Sequence, residues 1–323
     1  MKAHVLAIFF VTALGACQTS TSTSTSTSTF APEAGNSIPD QPRRININNI
    51  VENYHLWEKH SRNMKIKPVF AKFKGRDAVA IEARYEDKGA KNDWERFGSS
   101  GHAQRYQWLE RRKHIAKRGS DYWYKLSYHV PKNAGATNYT LNIFDWKLMS
   151  GNSERGVAGG LSIIKGNLTF FMITGSGSQS CQWLNAESEV CQQDTAFLNL
   201  RPSKTHEGEW VDIIVNVKWD KEGHVRFWLN DKLRTAVSNN NNIGEARGAK
   251  FKFGPYRHHM DEFNTPIKDI KIHFSGVARA TACEEISDKC GMLMDQIPAE
   301  EMYTYDMSSR VICNGDGATC RRF

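Results

Sequence analysis

The chain has 323 residues, of which 40% are hydrophobic, 24% charged and 11% aromatic, and its 43 Lys and Arg against 35 Asp and Glu give a net charge of +8. This composition is typical of a globular protein and excludes a disordered chain, a collagen and a coiled coil. Beyond the extreme N-terminus, no apolar run approaches the roughly 18 residues of a membrane-spanning helix, which excludes a multi-pass membrane protein.

The N-terminal residues predict export. Residues 1–16 contain Lys2, a short apolar stretch and then small residues, the layout of a signal peptide. The sequence LGAC at residues 14–17 resembles a bacterial lipobox, so we expect cleavage before Cys17 and a lipid on its thiol. An ordinary signal peptide with a cysteine at its cleavage site is the alternative. The lipid would anchor the chain to the bacterial cell envelope, at the outer membrane or the periplasmic face.

A linker follows the predicted lipid site. Residues 19–29 alternate strictly between Thr and Ser and are too polar to join a core. We therefore expect residues 17–44 to form a disordered tether, residues 45–282 to form the folded domain, and residues 283–323 to form a cysteine-rich C-terminal extension.

The folded domain is predicted to be all-β. Its short alternating runs are rich in aromatic and β-branched residues, and turn-forming residues separate them. So many strands without intervening helices favour a sandwich of two antiparallel sheets, of the jelly-roll or concanavalin-like type. The predicted strands are Val79–Tyr85, Tyr122–Val130, Tyr139–Leu148, Gly160–Ile164, Leu168–Ile173, Trp210–Trp219, Val225–Leu229, Lys250–Tyr256 and Ile267–Gly276.

The positive charge is concentrated in one part of the chain. Residues 59–118 contain 17 Lys and Arg against 7 Asp and Glu. Such a field attracts a polyanion: nucleic acid, anionic lipid or acidic polysaccharide. Export argues against nucleic acid, and a solvated basic face without a ligand is the alternative.

Six cysteines other than Cys17 suggest disulfide bonds in an exported chain. Six cysteines allow 15 connectivities. The pairing of sequence neighbours is favoured, and a zinc site is disfavoured because the chain has no C-x-x-C and no histidine pair at finger spacing. The favoured pairs are Cys181 with Cys191, Cys283 with Cys290, and Cys313 with Cys320.

Four segments, taken in order, resemble the polysaccharide lyase superfamily typified by heparin lyase I and glucuronan lyase. They are DYWYKLSYHVP (121–131), GEWVDIIVNVKW (208–219), GHVRFWLND (223–231) and FKFGPYR (251–257). The last segment matches the family pattern yfKxGxYR and is the most specific. The resemblance implies a β-jelly roll, cleavage of an acidic polysaccharide by β-elimination, no obligatory cofactor, and a proton-handling role for Tyr256. The sequence predicts no metal site, because no run of alternating Asp and Asn suggests a calcium loop, and a supporting role for calcium stays open.

Two segments depart from the family pattern. Residues 109–114 stand where the family has R-x-E-L, and Asp145 and Lys147 stand where it has Gln and His. A carbohydrate-binding lipoprotein that has lost catalysis therefore stays open as an alternative. A glycoside hydrolase is disfavoured because no strand carries an E-x-D-x-x-E pair of carboxylates. We expect a monomer.

Alternation along the strand from Lys250 to Tyr256 selects candidate residues independently of the family. Lys252 and Tyr256 share one face, and His258 joins them as a further catalytic candidate if the strand continues. Cations near a tyrosine favour its phenolate, so Tyr256 is our candidate for proton transfer and Lys252 for substrate binding. Arg257 has the opposite parity unless a bulge intervenes, although we include it among the substrate-binding candidates.

Two further strands supply candidates. Asp145 and Lys147 share a face, either as a mutual ion pair or as substrate contacts. In the strand expected around residue 111, Trp108, Arg112 and His114 share a parity. If this parity faces the glycan, Trp108 stacks on sugar, Arg112 neutralises the substrate carboxylate, and His114 is an alternative base or a substrate contact. Trp108 could equally belong to the core.

Overall fold

The computed structural model describes residues 46–52, 57–59, 67–84, 103–132, 140–150, 153–164, 167–173, 195–202, 206–244, 246–258, 269–297, 311–313 and 320–322. The predicted signal peptide, Cys17, the tether, Cys181 and Cys191 lie outside these ranges. Among the described helices, none is long and apolar enough to cross a membrane.

Within these ranges the chain forms eighteen β-strands. In chain order they are β1 Trp57–Lys59, β2 Val69–Phe73, β3 Arg76–Ala83, β4 Gln104–Arg105, β5 Trp108–Glu110, β6 Ala116–Lys117, β7 Asp121–His129, β8 Thr140–Ser150, β9 Ser153–Ile164, β10 Asn167–Ile173, β11 Thr195–Pro202, β12 Trp210–Lys218, β13 Gly223–Leu229, β14 Lys232–Asn240, β15 Gly248–His258, β16 Ile270–Ala280, β17 Val311–Cys313 and β18 Cys320–Arg322. The helical elements among the described residues are three 3₁₀ turns, Ile47–Asn49, Arg112–His114 and Cys283–Glu285, and one short helix, α1 Cys290–Met294.

Sixteen of these strands form two antiparallel sheets. The front sheet has nine strands in the order β1-β5-β15-β8-β9-β10-β11, with β4 and β6 also paired to β15. The back sheet has seven strands in the order β14-β13-β12-β7-β16-β3-β2. The predicted all-β architecture of two antiparallel sheets is confirmed.

The core lies between the two sheets because alternate residues of each strand point inward. In β7, Tyr124 and Leu126 are fully buried in this core, and in β15 the rings of Phe251 and Phe253 enter it from the opposite sheet. Trp57 meets both phenylalanine rings edge-on, with centroids 5.7 and 5.5 Å away. Full burial of each such side chain contributes roughly 1.5–3 kcal/mol.

A buried ion pair joins the two sheets. Arg279 of β16 donates a hydrogen bond to the Glu110 carboxylate of β5 over 2.6 Å, and the second carboxylate oxygen accepts the Phe251 N–H over 3.0 Å. Burial raises the pKa of Glu110 to about 7, although the Arg279 charge and these hydrogen bonds oppose the rise. The carboxyl group therefore ties the back sheet to the backbone of β15.

The C-terminal extension packs on the outer face of the back sheet. A disulfide bond joins Cys283 to Cys290, as predicted, and the segment around it covers Trp123 and Trp228. Further along, Cys313 of β17 lies in register with Cys320 of β18, and their pairing stays a prediction.

Candidate active site

The candidate site lies on the outer face of the front sheet, on β15 and its neighbours. In β8, Phe144 and Trp146 point into the core, so Asp145 between them points outward. Asp145 pairs in register with Lys252, and Asn142 pairs with Tyr256. Cross-strand partners share a face. Lys252 and Tyr256 therefore stand on the outer face, opposite the buried phenylalanines of the same strand.

A bulge in β15 precedes Tyr256. The register with β8 shifts between Phe253 and Tyr256, and Gly254 between them has φ +120°. A Cβ atom at Gly254 would lie 2.2 Å from the backbone oxygen of Tyr106. Only glycine fits this conformation and this close approach. The bulge also leaves no side chain at Gly254, between Lys252 and Tyr256.

The Arg105 guanidinium lies over the Tyr256 ring. The two residues pair across β4 and β15, and the guanidinium carbon lies 4.1 Å from the ring centroid. Tyr256 itself is 4% exposed. Arg105 was not among the candidates predicted from the sequence. It lies on the outer face because the ring of its neighbour Tyr106 is in the core.

Three lysines surround Glu154 of β9. The Lys252 ammonium donates to one carboxylate oxygen over 2.7 Å, and Lys250 lies 3.9 Å from the other. Burial alone would raise the pKa of Glu154, but the charges of Lys252, Lys147 and Lys250 outweigh it and bring the pKa to about 2. Glu154 therefore stays ionised and offsets only part of the positive charge.

Lys147 is the partly exposed lysine of this group. Burial of its ammonium lowers the pKa of Lys147 to about 8; Asp145 opposes this shift, and the charges of Lys252 and Arg105 add to it. An arriving carboxylate would favour the charged form. Lys147 is therefore suited to bind a substrate carboxylate.

Asn142, Gln107 and Asp145 complete the polar floor of the site. The Asn142 side-chain oxygen accepts a hydrogen bond from the Ser162 hydroxyl over 2.7 Å. Gln107 and Asp145 are each 0% exposed. Gln107 points outward because its neighbours Tyr106 and Trp108 point into the core.

Three sequence candidates do not join this site. Trp108 faces the core, where it stacks on Phe253 with centroids 5.5 Å apart, so its predicted exposure to glycan is wrong. The strand expected around residue 111 ends at Glu110, and Arg112 and His114 lie in the following 3₁₀ turn. Arg112 is exposed there. The prediction failed because Trp108 and Glu110 lie on the face of β5 that points into the core.

The fourth correction concerns Arg257. Its side chain is fully buried on the core side of β15, where it donates to the Ala83 carbonyl over 3.0 Å and to Gln104. The bulge does not bring it to the face of Tyr256, so it cannot contact substrate there. β15 continues to His258, as the sequence analysis required, and the His258 side chain lies outside the described part of the structure.

The family profile described as "Polysaccharide lyase" matches residues 51–278, which include every strand of the site. The chain belongs to the polysaccharide lyase family. It is accordingly a polysaccharide lyase, and the resemblance identified from the sequence is confirmed. The comparison with curated protein sequences finds no match.

Solved structures share the fold of this lyase. An endo-β-1,4-glucuronan lyase from the fungus Trichoderma reesei is similar at TM-score 0.51 and 14% identity, over 74% of this chain and 96% of that chain. A family 7 alginate lyase solved with a product is similar at TM-score 0.50 and 10% identity, over 73% of this chain and 98% of that chain. Identities this low show the fold alone.

Among the residues that the structure describes, no three His, Cys, Asp or Glu side chains converge as ligands for a metal ion.

Proposed function

We propose that this lyase cleaves a uronic-acid-containing polysaccharide by β-elimination, with the Tyr256 hydroxyl as the proton carrier. The observation that carries the proposal is the placement of Tyr256 on one face with Lys252 and beside the Arg105 guanidinium. The names of the two similar lyases contain glucuronan and alginate, which are both polymers of uronic acids.

The reaction requires charge stabilisation and proton transfer at one sugar. The C5–H bond breaks, the C4–C5 double bond forms, and the bond from C4 to the leaving oxygen breaks. The C5 proton becomes acidic only when the negative charge that develops on the carboxylate is offset by nearby cations. Lys147 and Arg105 supply that charge. Tyr256 accepts the C5 proton as phenolate and returns a proton to the leaving oxygen.

The test measures the unsaturated sugar end by its ultraviolet absorbance. Purified chain is incubated separately with glucuronan, alginate, heparin-type and pectic polymers. We expect absorbance to rise with at least one polymer and Tyr256→Phe to abolish the rise with little change in stability. Tyr122→Phe, in the back sheet, is the matched control and should keep full activity. Normal turnover by Tyr256→Phe would remove Tyr256 from the mechanism, and binding without product across all polymers would favour the non-catalytic alternative.

We also propose that Cys17 carries a lipid that anchors the lyase to the bacterial cell envelope. The support is the LGAC sequence followed by the alternating Thr and Ser residues. Cys17→Ser should move the chain from the membrane fraction to the soluble fraction. An unchanged distribution would refute the anchor.

A further inference from the structure

Gln107 and Asp145 are buried on the site face without hydrogen-bond partners for their side chains among the described residues. Both atoms of the Gln107 amide and both carboxylate oxygens of Asp145 lack partners within that part of the chain. Leaving a buried polar group unpaired costs about 1–3 kcal/mol, and more when it is charged. Native proteins retain few such groups, and each requires an explanation.

The two side chains flank the same stretch of β15. Asp145 pairs with Lys252 from the β8 side. Leu109, which pairs with Lys252 from the β5 side, follows two residues after Gln107 and shares its face. Gly254, which carries no side chain, lies two residues after Lys252 on β15. The unpaired groups therefore border the segment of β15 between Lys252 and Tyr256.

The chemistry of these groups differs from that of the surrounding cations. Lys147 and Arg105 attract a carboxylate, whereas the Asp145 carboxylate would repel one. A carboxylate accepts hydrogen bonds from hydroxyl groups, and an amide both donates and accepts. A uronic acid in a polysaccharide presents one carboxylate together with uncharged secondary hydroxyls. Gln107 and Asp145 match the second kind of group.

We propose that Gln107 and Asp145 bind the free hydroxyls of the same uronic acid whose carboxylate meets Lys147, and thereby select sugars that are not O-acylated there. This inference rests on the proposed function, because it assumes a uronic acid beside Tyr256. Lys147 is partly exposed and interacts electrostatically with Asp145, and its four-carbon side chain can turn toward the substrate carboxylate.

The test measures binding apart from cleavage. The Tyr256→Phe chain is titrated by calorimetry with saturated hexamers of glucuronan and of alginate, each unmodified and O-acetylated. We expect acetylation to weaken binding of the preferred hexamer about 10-fold. Adding Gln107→Leu should weaken binding of the unmodified hexamer about 5-fold, and adding Asp145→Asn about 10-fold, because each removes a hydrogen bond to the sugar. In each variant, the difference in affinity between acetylated and unmodified hexamers should decrease by the same factor as the affinity for the unmodified hexamer.

Two controls separate recognition from folding. Asp212→Asn removes one carboxylate from the outer face of the back sheet and should leave the affinities unchanged. Gln107→Leu should unfold at the same temperature as its parent or higher, since it removes an unpaired buried group. A binding loss that follows a lowered unfolding temperature would overturn the proposal.

Three further results would overturn it. Equal affinity for acetylated and unmodified hexamers would show that the hydroxyls are not bound. Tighter binding by Asp145→Asn would show that its carboxylate only repels substrate. Loss of kcat at unchanged KM for Asp145→Asn in the chain with Tyr256 would assign it to proton transfer instead. A failure of the proposed function can be told apart from these results, because the unmodified chain would then form no unsaturated product from any polymer.

Discussion

Replacing Arg279 by Met tests the ion pair that joins the two sheets. The change leaves Glu110, which is 0% exposed, without the guanidinium that lies 2.6 Å away. Removing one partner of a buried pair costs about 3–5 kcal/mol because the other charge stays buried. We expect Arg279→Met to lower the free energy of unfolding by about 4 kcal/mol at pH 8.

The loss should shrink in acid. Because burial raises the pKa of Glu110 to about 7, the folded state holds a proton that the unfolded state releases near the ordinary pKa of 4.5. Without Arg279 the pKa rises further, so at pH 5.5 the buried carboxyl is neutral and the uncompensated charge is absent. The contribution of a raised pKa to stability is largest below pH 4.5 and is lost as the pH rises through 7.

Urea unfolding at pH 5.5 and pH 8 measures both effects. Lys72→Met is the matched control, because it breaks the exposed pair with Asp77 and should cost less than about 1 kcal/mol at either pH. The double variant Glu110→Gln, Arg279→Met should recover part of the loss at pH 8. A loss by Arg279→Met below about 1 kcal/mol, or equal losses at the two pH values, would refute the reasoning.

Two other predictions concern the back sheet. Burial, together with the charges of His129 and two lysines, lowers the pKa of His273 to about 4. The chain should therefore lose about 2 kcal/mol of stability as the pH falls from 6.5 to 4. His273→Phe keeps a ring to stack on Phe73 and should reduce that loss in acid titrations followed by circular dichroism. Cys283→Ser opens the small loop closed by the disulfide and should cost about 2.5 kcal/mol by urea unfolding, whereas a loss under about 0.5 kcal/mol would mean that the loop is held by packing alone.

Strand alternation predicted much of the fold because most strands have one buried face. The strand predicted at Tyr122–Val130 differs from the observed β7 by one residue at each end, and the strand predicted at Trp210–Trp219 differs from β12 by one residue at its C-terminal end. The β2 strand was not predicted, and its Val69 is 57% exposed. A strand at the edge of a sheet has little buried surface and hence a weak pattern.

The candidate site was predicted in part. Tyr256 and Lys252 lie on one face, as strand alternation predicted, and the glycine of the yfKxGxYR pattern occupies the bulge between them. Trp108 was assigned to the wrong face, because an aromatic residue in a basic segment fits a sugar platform as well as a core. Only the pairing of β4 with β15 identifies Arg105 as the neighbour of Tyr256. Pairing between distant strands cannot be derived from local alternation.

The disulfide-bonded C-terminal segment bears on how the enzyme can be shortened. It covers two tryptophans, Trp123 and Trp228, whose rings stack 5.6 Å apart on the outside of the back sheet. A chain that stopped at Ala282 would expose these indoles and Ile214 to water as a hydrophobic patch, and such patches promote self-association. Truncated versions for crystallisation or industrial use should therefore extend at least to Ile297, although the candidate site lies on the other sheet.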